Sequence, residues 1–255
     1  MPVIAIANQK GGVGKTATTY NLAHALSKNG KKILMIDLDP QGSLTDYVGS
    51  DPATLDQTVY QVLHGNISIS QAVISNFEGP DLVPANIDLA AVELELAGVL
   101  QREYRLADAL ENIRKRYEYI LLDCPPSLGL LTINALIASD WVLIPVATQY
   151  SALRGLERLF DTVGQIQRRP NPKLKIFGVL PTMYDSRTLH NREALDFIIE
   201  RSENIMRVFS PISFTVRVQE SPVAKQPIFE YEPKSSAGKA YLELAREVIN
   251  ECEKG

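Results

Sequence analysis

Val3-Ile4-Ala5-Ile6-Ala7-Asn8-Gln9-Lys10-Gly11-Gly12-Val13-Gly14-Lys15-Thr16 is the stretch that decides the fold. Its first five residues form a continuous apolar run of strand type. Helix-compatible sequence follows at Asn21-Leu22-Ala23-His24-Ala25-Leu26. Between them lies a glycine-rich turn ending in Gly-Lys-Thr. Strand, turn and helix in this order aim successive backbone N–H groups into one concavity at a positive helix end, which suits a polyphosphate. Lys15 then reaches the β- and γ-phosphates, and the Thr16 hydroxyl sits on Mg²⁺. The general phosphate-loop pattern has a glycine where this chain has Gln9, and an extra lysine, Lys10, stands before the paired glycines. The competing reading is a plain tight turn carrying two surface lysines. The strand-to-helix context outweighs it.

Further along, apolar runs alternate with helical patterns. Residues 32–37, 118–123, 141–146 and 174–180 read as buried strands, and 81–84 as a weak short one. Runs that are apolar throughout fit parallel strands covered on both faces. One or two helices are expected within 89–116, and others at 152–168, 190–203 and about 235–252. In the last, Ala237, Tyr241, Leu244, Ala245 and Val248 recur at helical spacing. The alternation predicts an α/β fold with a doubly wound, mostly parallel sheet flanked by helices. Ligands of such sheets bind beyond the carboxyl ends of the strands. One domain over residues 1–255 is expected. The Asn171-Pro172 and Glu232-Pro233 steps mark loops, not domain boundaries.

Composition narrows the function classes. The 255 residues are 45% hydrophobic and 22% charged, with a net charge of −4. That balance argues against a uniformly basic nucleic-acid protein but leaves room for a local basic patch. Two cysteines, Cys124 and Cys252, make no disulfide framework and no metal-ligand spacing. No export signal and no run of membrane-spanning length is found, so a cytoplasmic location is expected.

Carboxylates stand at the strand ends. Asp37 and Asp39 close the second strong strand, where Pro40 and Gly42 turn the chain. Strand alternation puts the two on one side. Asp123 ends a later strand, before Cys124-Pro125-Pro126. An aspartate there can hold Mg²⁺, while the other pair orients or deprotonates an attacking water. A lone aspartate after a strand is more often a cap or turn former. Three of them beside a phosphate loop favour the chemical role. His24, His64 and His190 form no catalytic cluster, and Cys124 reads as a buried inert thiol. Trp141 reads as core or interface. Val92 to Leu96 reads equally as an interface helix or an ordinary amphipathic one.

With these motifs in hand, the chain resembles the ParA/Soj family of deviant-Walker ATPases, relatives of MinD. The resemblance rests on Lys10 to Thr16, Asp37 to Gly42 and Ile120 to Pro126. It also rests on Met183-Tyr184-Asp185, Val216-Arg217, Glu220-Ser221-Pro222, Pro233-Lys234-Ser235 and Ala240 to Ala245. It implies a phosphate-loop ATPase, weak on its own, that closes as a sandwich homodimer around ATP and Mg²⁺. Lys10 is then the signature lysine that reaches the partner's phosphates. Gly11 and Gly12 permit close backbone approach. Gly11, Gly12, Val13, Gly14, Lys15, Thr16, Ala17 and Met183 hold the nucleotide. Asp39 is the hydrolytic aspartate and also contributes to the metal site with Thr16 and Asp123. Asp37 supports it.

The resemblance further implies non-specific DNA binding by the ATP dimer, through Arg187, Arg217 and Lys225, with Arg192 and Lys234 as weaker candidates. A ParB-like or other adaptor protein stimulates turnover, and a plasmid, chromosome or protein assembly is the cargo. Nucleoid association follows, with no membrane partner. Two features depart from the family. Ser213-Phe214-Thr215 stands where Pro-Arg-Asn is usual, and Phe214 either stacks on a base or, the favoured reading, packs in the core. Thr148-Gln149 stands where Thr-Glu is frequent. A helix-turn-helix segment ahead of the ATPase is not expected. A MinD-like membrane-cycling ATPase is the alternative, disfavoured by the acidic and polar tail from Arg246 to Gly255. A cofactor-assembly ATPase akin to the nitrogenase iron protein ranks below it, because Cys124 lacks a matching second cysteine.

Overall fold

The computed structural model describes residues 1–254 except positions 78, 150–152 and 203–205, and gives only the backbone at 153–157. The expected helix ends at 152 and 203, and Gly255 of the tail, lie outside the described residues.

Six parallel strands form one sheet in the order β3-β2-β4-β1-β5-β6. They are β1 (Val3–Ile6), β2 (Ile33–Asp37), β3 (Asp81–Val83), β4 (Tyr119–Asp123), β5 (Trp141–Ala147) and β6 (Lys175–Thr182). Eleven helices connect and cover them among the described residues. In chain order these are α1 (Lys15–Lys28), α2 (Ser43–Tyr47), α3 (Val59–His64), α4 (Val92–Glu95), α5 (Arg105–Glu111) and α6 (Leu130–Ala138). Then come α7 (Leu153–Arg168), α8 (Leu189–Ser202), α9 (Arg217–Glu220), α10 (Ile228–Tyr231) and α11 (Ser236–Lys254).

Every residue of β1, β2 and β4 is buried, because helices lie on both faces. One core joins Leu34, Ile36, Ile120, Leu122, Val142 and Ile144 to the layer of α3, α5, α6 and α7. The other joins Ile4, Ile6, Met35, Leu121 and Leu143 to α1 and α11. Alternate residues of the same strand feed opposite cores, as the period of two requires. Each fully buried Leu or Ile contributes about 1.5–3 kcal/mol relative to exposure.

The expected helix or pair of helices over 89–116 is broken into short pieces, α4 and α5 with single tight turns at Ile87–Ala91, Arg102–Tyr104 and Arg114–Arg116. Its apolar residues serve one core without a continuous face. Leu106 and Leu110 are buried, but Leu94 and Leu100 are exposed. Residues 81–84 do pair, with β3 shortened to three positions at the sheet edge.

The candidate nucleotide site

All the chemistry-bearing motifs converge at the carboxyl edge of the sheet. Registry places Asp37 directly beside Asp123, and Asp123 beside Ile6, the last residue of β1. The loop after β1 enters α1 through Gly12 and Gly14, with φ of 69° and 83°. An L side chain reaches that region only at a cost of about 1–2 kcal/mol, so glycine is the residue that permits the turn. Gly14 caps α1, and its carbonyl accepts the Thr18 N–H at 2.9 Å. The loop is fastened from three sides. Asn8 Nδ2 donates to Pro145 O at 2.7 Å, and Asn8 Oδ1 accepts the Lys10 N–H at 2.9 Å. Thr182 Oγ1 donates to Val13 O at 2.8 Å.

Lys15 begins α1 with only 7% of its surface exposed. Its ammonium folds back into the loop and donates to Lys10 O at 3.3 Å. Burial pushes its pKa down, and the nearby Asp123 opposes that shift. A cation held this way, beside the backbone of the loop, is poised for anionic oxygens. Lys10 points elsewhere: its Nζ donates to Gln149 Oε1 at 3.4 Å. Position 149 thus offers Lys10 a neutral amide.

The three aspartates are brought together but do different work. Asp37 is fully buried and accepts three bonds: from Asp39 N at 3.1 Å, Thr45 N at 3.0 Å and Thr45 Oγ1 at 2.8 Å. It is a brace that shapes the turn and starts α2, and burial raises its pKa to about 6. Asp39 itself is partly exposed on the cavity wall, where Oδ1 accepts the Gln41 N–H at 3.0 Å. Asp123 accepts hydroxyl bonds from Thr16 and from Thr19, the latter at 3.2 Å, but Oδ2 is buried with no partner. Burial, then the adjacent charge of Asp37, raises its pKa to about 8. A buried carboxylate oxygen without a donor, beside the Thr16 hydroxyl, fits a divalent cation. Thr16, Asp123 and Asp39 are the side chains that would hold it.

These residues line a cavity of about 320 Å³, within the range of small-molecule sites. Gly11, Gly12, Gly14, Lys15, Thr16, Ala17 and Met183 all reach it. Val13 does not reach it with its side chain, which is buried beneath the loop. Met183 holds a left-handed φ of 55°, uncommon outside glycine, and this turns the chain across the cavity mouth. Tyr184 then pairs with residues 212–214: its N–H donates to Ile212 O at 3.0 Å, and its carbonyl accepts Phe214 N–H at 2.8 Å. The backbone of Ser213 faces away from that pairing and lines the cavity. Phe214 does not pack in the core as expected. It is 51% exposed on the cavity wall, because the one-rung pairing turns its side chain outward. Tyr47, Tyr241, Thr182, Val218 and Gln219 also line the cavity, and no sequence signal marks them as nucleotide contacts. Tyr241 has the helical spacing of a core residue and is one, at 1% exposed. Only its depth at the end of the cavity adds the second role.

Two of the five DNA candidates, Arg187 and Arg217, are paired with carboxylates. Arg187 forks onto Asp185 at 2.9 and 2.8 Å. Arg217 lies between Glu220 at 2.8 Å and Glu232 at 3.4 Å. Lys225 lies across Gly49, leaving no room there for a Cβ, so its stem packs on the loop after α2. Arg192 and Lys234 are not in ion pairs among the described residues. Cys124 is fully buried with its pKa pushed up by burial, as an inert thiol requires. Trp141 packs edge-on to Phe177 at 5.1 Å. In the Val92–Leu96 stretch, Val92 is buried and Glu93 accepts the Leu130 N–H at 2.7 Å, tying α4 to the start of α6.

A glycine-turned loop on a helix start, a buried lysine and strand-end aspartates on a parallel sheet define a phosphate-loop nucleotide-binding protein of the doubly wound class. A family model described as an AAA domain matches residues 1–176. The sporulation initiation inhibitor protein Soj of Bacillus subtilis is 44% identical over 253 residues, covering 96% of this chain and 97% of Soj. The chromosome partitioning protein ParA of Caulobacter vibrioides is 43% identical over 252 residues, covering 97% and 94%. The chain belongs to the ParA/Soj family of deviant-Walker ATPases. Among solved structures, a Mycobacterium smegmatis protein described as cobyrinic acid a,c-diamide synthase, with bound ADP and magnesium, superposes with a TM-score of 0.88. It is 38% identical, covering 99% of this chain and 96% of that one.

Proposed function

We propose that this protein is an ATP hydrolase that closes as a homodimer on ATP and Mg²⁺, binds DNA without sequence preference in that state, and positions a cargo. The observation that carries the reading is the pairing of two lysines with different postures. Lys15 is buried against its own loop, and the Lys10 ammonium is turned out to Gln149. Lys15 binds the phosphates of its own subunit. Lys10 adds a cation opposite the charge that develops on the transferred phosphoryl group of the neighbouring subunit, which ties hydrolysis to dimerisation. Asp39, held in its turn by the Asp37 brace, orients the attacking water. Mg²⁺, when bound, neutralises phosphate charge at Thr16 and Asp123.

Kinship with Soj and ParA supports the partition role and a ParB-like stimulating partner. Plasmid, chromosome and protein assemblies are all compatible cargoes. No described helix is long and apolar enough to cross a membrane. The test is DNA retention with ATP, with ADP, and for Lys15→Ala with ATP. Retention with ATP alone is expected. Equal retention in all three arms removes DNA from the nucleotide cycle.

A further inference from the structure

Behind the turn that carries Asp39 lies a second groove, of about 420 Å³, that the nucleotide site does not use. Its size is that of a small-molecule pocket. Three segments supply most of its lining. They are the Pro40-Gln41 step directly after Asp39, the tight turn that follows α2, and the chain just past β3.

The lining is acidic. Asp56 and Asp88 are exposed, and neither is in an ion pair among the described residues. Among those residues no lysine or arginine lines the groove. Asn86 is an independent sign of a missing donor. It is 8% exposed, and its Nδ2 donates to Asp88 Oδ2 at 3.0 Å and to Leu55 O at 3.4 Å. Its Oδ1 is left buried with no partner, a costly state for an amide oxygen. Two carboxylates around an unmet acceptor call for a cationic group rich in N–H, an ammonium or a guanidinium. Beside them Ile87 is 66% exposed and Leu55 half-buried. That apolar ledge matches the aliphatic stem of a lysine or arginine. A divalent metal ion, which needs six or more oxygens, has no use for it.

The groove is packed against the catalytic turn. The Gly42 N–H closes that turn on Asp39 O at 2.9 Å, and the Gln41 N–H donates to Asp39 Oδ1 at 3.0 Å. Gly42 has a left-handed φ of 64°, and a Cβ there would meet Pro52 Cγ at 2.8 Å and Ala85 O at 3.3 Å. Pro52 itself lines the groove, so no slack separates the groove wall from the turn. A ligand that presses on Pro40, Gln41 or Pro52 therefore acts on the carboxylate facing the nucleotide cavity.

We propose that this groove docks a short lysine- and arginine-bearing segment of the protein that stimulates turnover, and that docking sets the position of Asp39. This assignment rests on the reading above of an ATPase with a stimulating partner, and gives that partner its place on the chain. Charge complementarity and the unmet Asn86 oxygen select a basic segment over an acidic or wholly apolar one. Asp39 then acts as the water-orienting group, and the docked segment acts only through the turn that holds it.

The test uses a labelled peptide of three Arg-Ala-Leu-Lys repeats and the full chain. Anisotropy reads binding with a non-hydrolysable ATP analogue and Mg²⁺, and ATP turnover is measured with and without the peptide. Saturating peptide is expected to raise turnover severalfold, in kcat and not in KM for ATP. Asp56→Lys/Asp88→Lys is expected to weaken peptide binding by about tenfold and to abolish the stimulation. Its turnover without peptide stays at the wild-type rate, which also reports intact folding. Asp108→Lys/Glu111→Lys, an equal charge change at exposed acids of α5, keeps the wild-type affinity and stimulation. If the first variant does not fold, Asp56→Asn/Asp88→Asn replaces it, with a smaller loss in the same direction. No binding of the peptide to the wild type overturns the inference. So does an equal loss in both lysine variants, or binding that leaves a measurable turnover unchanged. Spermidine that stimulates alone, and loses that effect in Asp56→Lys/Asp88→Lys, overturns it in favour of a free polyamine. A wild type that hydrolyses no ATP with or without peptide defeats the proposed function instead, and peptide binding lost in the variant still supports the groove.

Discussion

The two edges of one sheet are built on opposite electrostatic plans. At the carboxyl edge, two aspartates sit side by side, fully buried, and Lys15 is almost sealed from water. Each is charged at a cost, and each is shifted toward its neutral form. At the amino edge Lys32, Lys115, Arg116, Arg168, Arg169, Lys173 and Lys175 are exposed to solvent. The first arrangement is preorganised and expensive, suited to one ligand held in one geometry. The second is cheap and diffuse, since charges left in water keep their hydration. Helices that run antiparallel to the strands between them keep the two plans apart.

The largest effect that can break this comparison is Lys15→Ala. Loss of one preorganised cation at the phosphates is expected to lower turnover by about 10²-fold or more. A fall in denaturant midpoint beside the loss of turnover would show that the lysine also holds the fold together. Asp37→Asn comes next. The amide can accept on one side only and sets an N–H against the Thr45 or Asp39 donors, costing about 1–3 kcal/mol of unfolding free energy, read from denaturant titration. Turnover falls with it, since Asp39 loses its brace. Asn171→Ala probes the other edge. It frees three carbonyl acceptors, those of Leu136, Ile137 and Ser139, and is expected to cost about 1–2 kcal/mol with no change in ATP turnover.

The smallest effect is a pH term from His24 on α1, midway between the edges. Burial lowers its pKa to about 4, from an ordinary value near 6.5. A histidine kept neutral in the fold contributes stability above pH 6.5 that is lost as pH falls toward 4. At pH 5.5 the loss is about 1 kcal/mol. His24→Leu should flatten the stability profile between pH 7 and 5. An unchanged profile would assign that acid sensitivity to other groups.

Much of the carboxyl edge was legible in the residues. Gly-Lys-Thr after an apolar run specifies strand, turn and helix by local sterics, and Asp37, Asp39 and Asp123 follow strand runs of unmistakable type. The division of labour among the aspartates was not legible. Which carboxylate braces and which faces the cavity depends on Thr45, eight positions beyond Asp37, and on the sheet order that seats β4 beside β2. The breakup of 89–116 was also hidden, because its composition favours helix while its buried positions follow the shape of the core. The basic residues singled out as DNA contacts were legible as charges but not as pairs, since Glu232 reaches Arg217 only through the fold.

Sequence alone determined the phosphate loop, the parallel α/β class and the family, because each rests on short-range geometry or on motifs in order along the chain. Only the tertiary structure decided which charges are spent and which remain available. Pairing and burial depend on groups far apart in sequence, and Coulomb energy is set by distance and dielectric, neither of which a linear string contains.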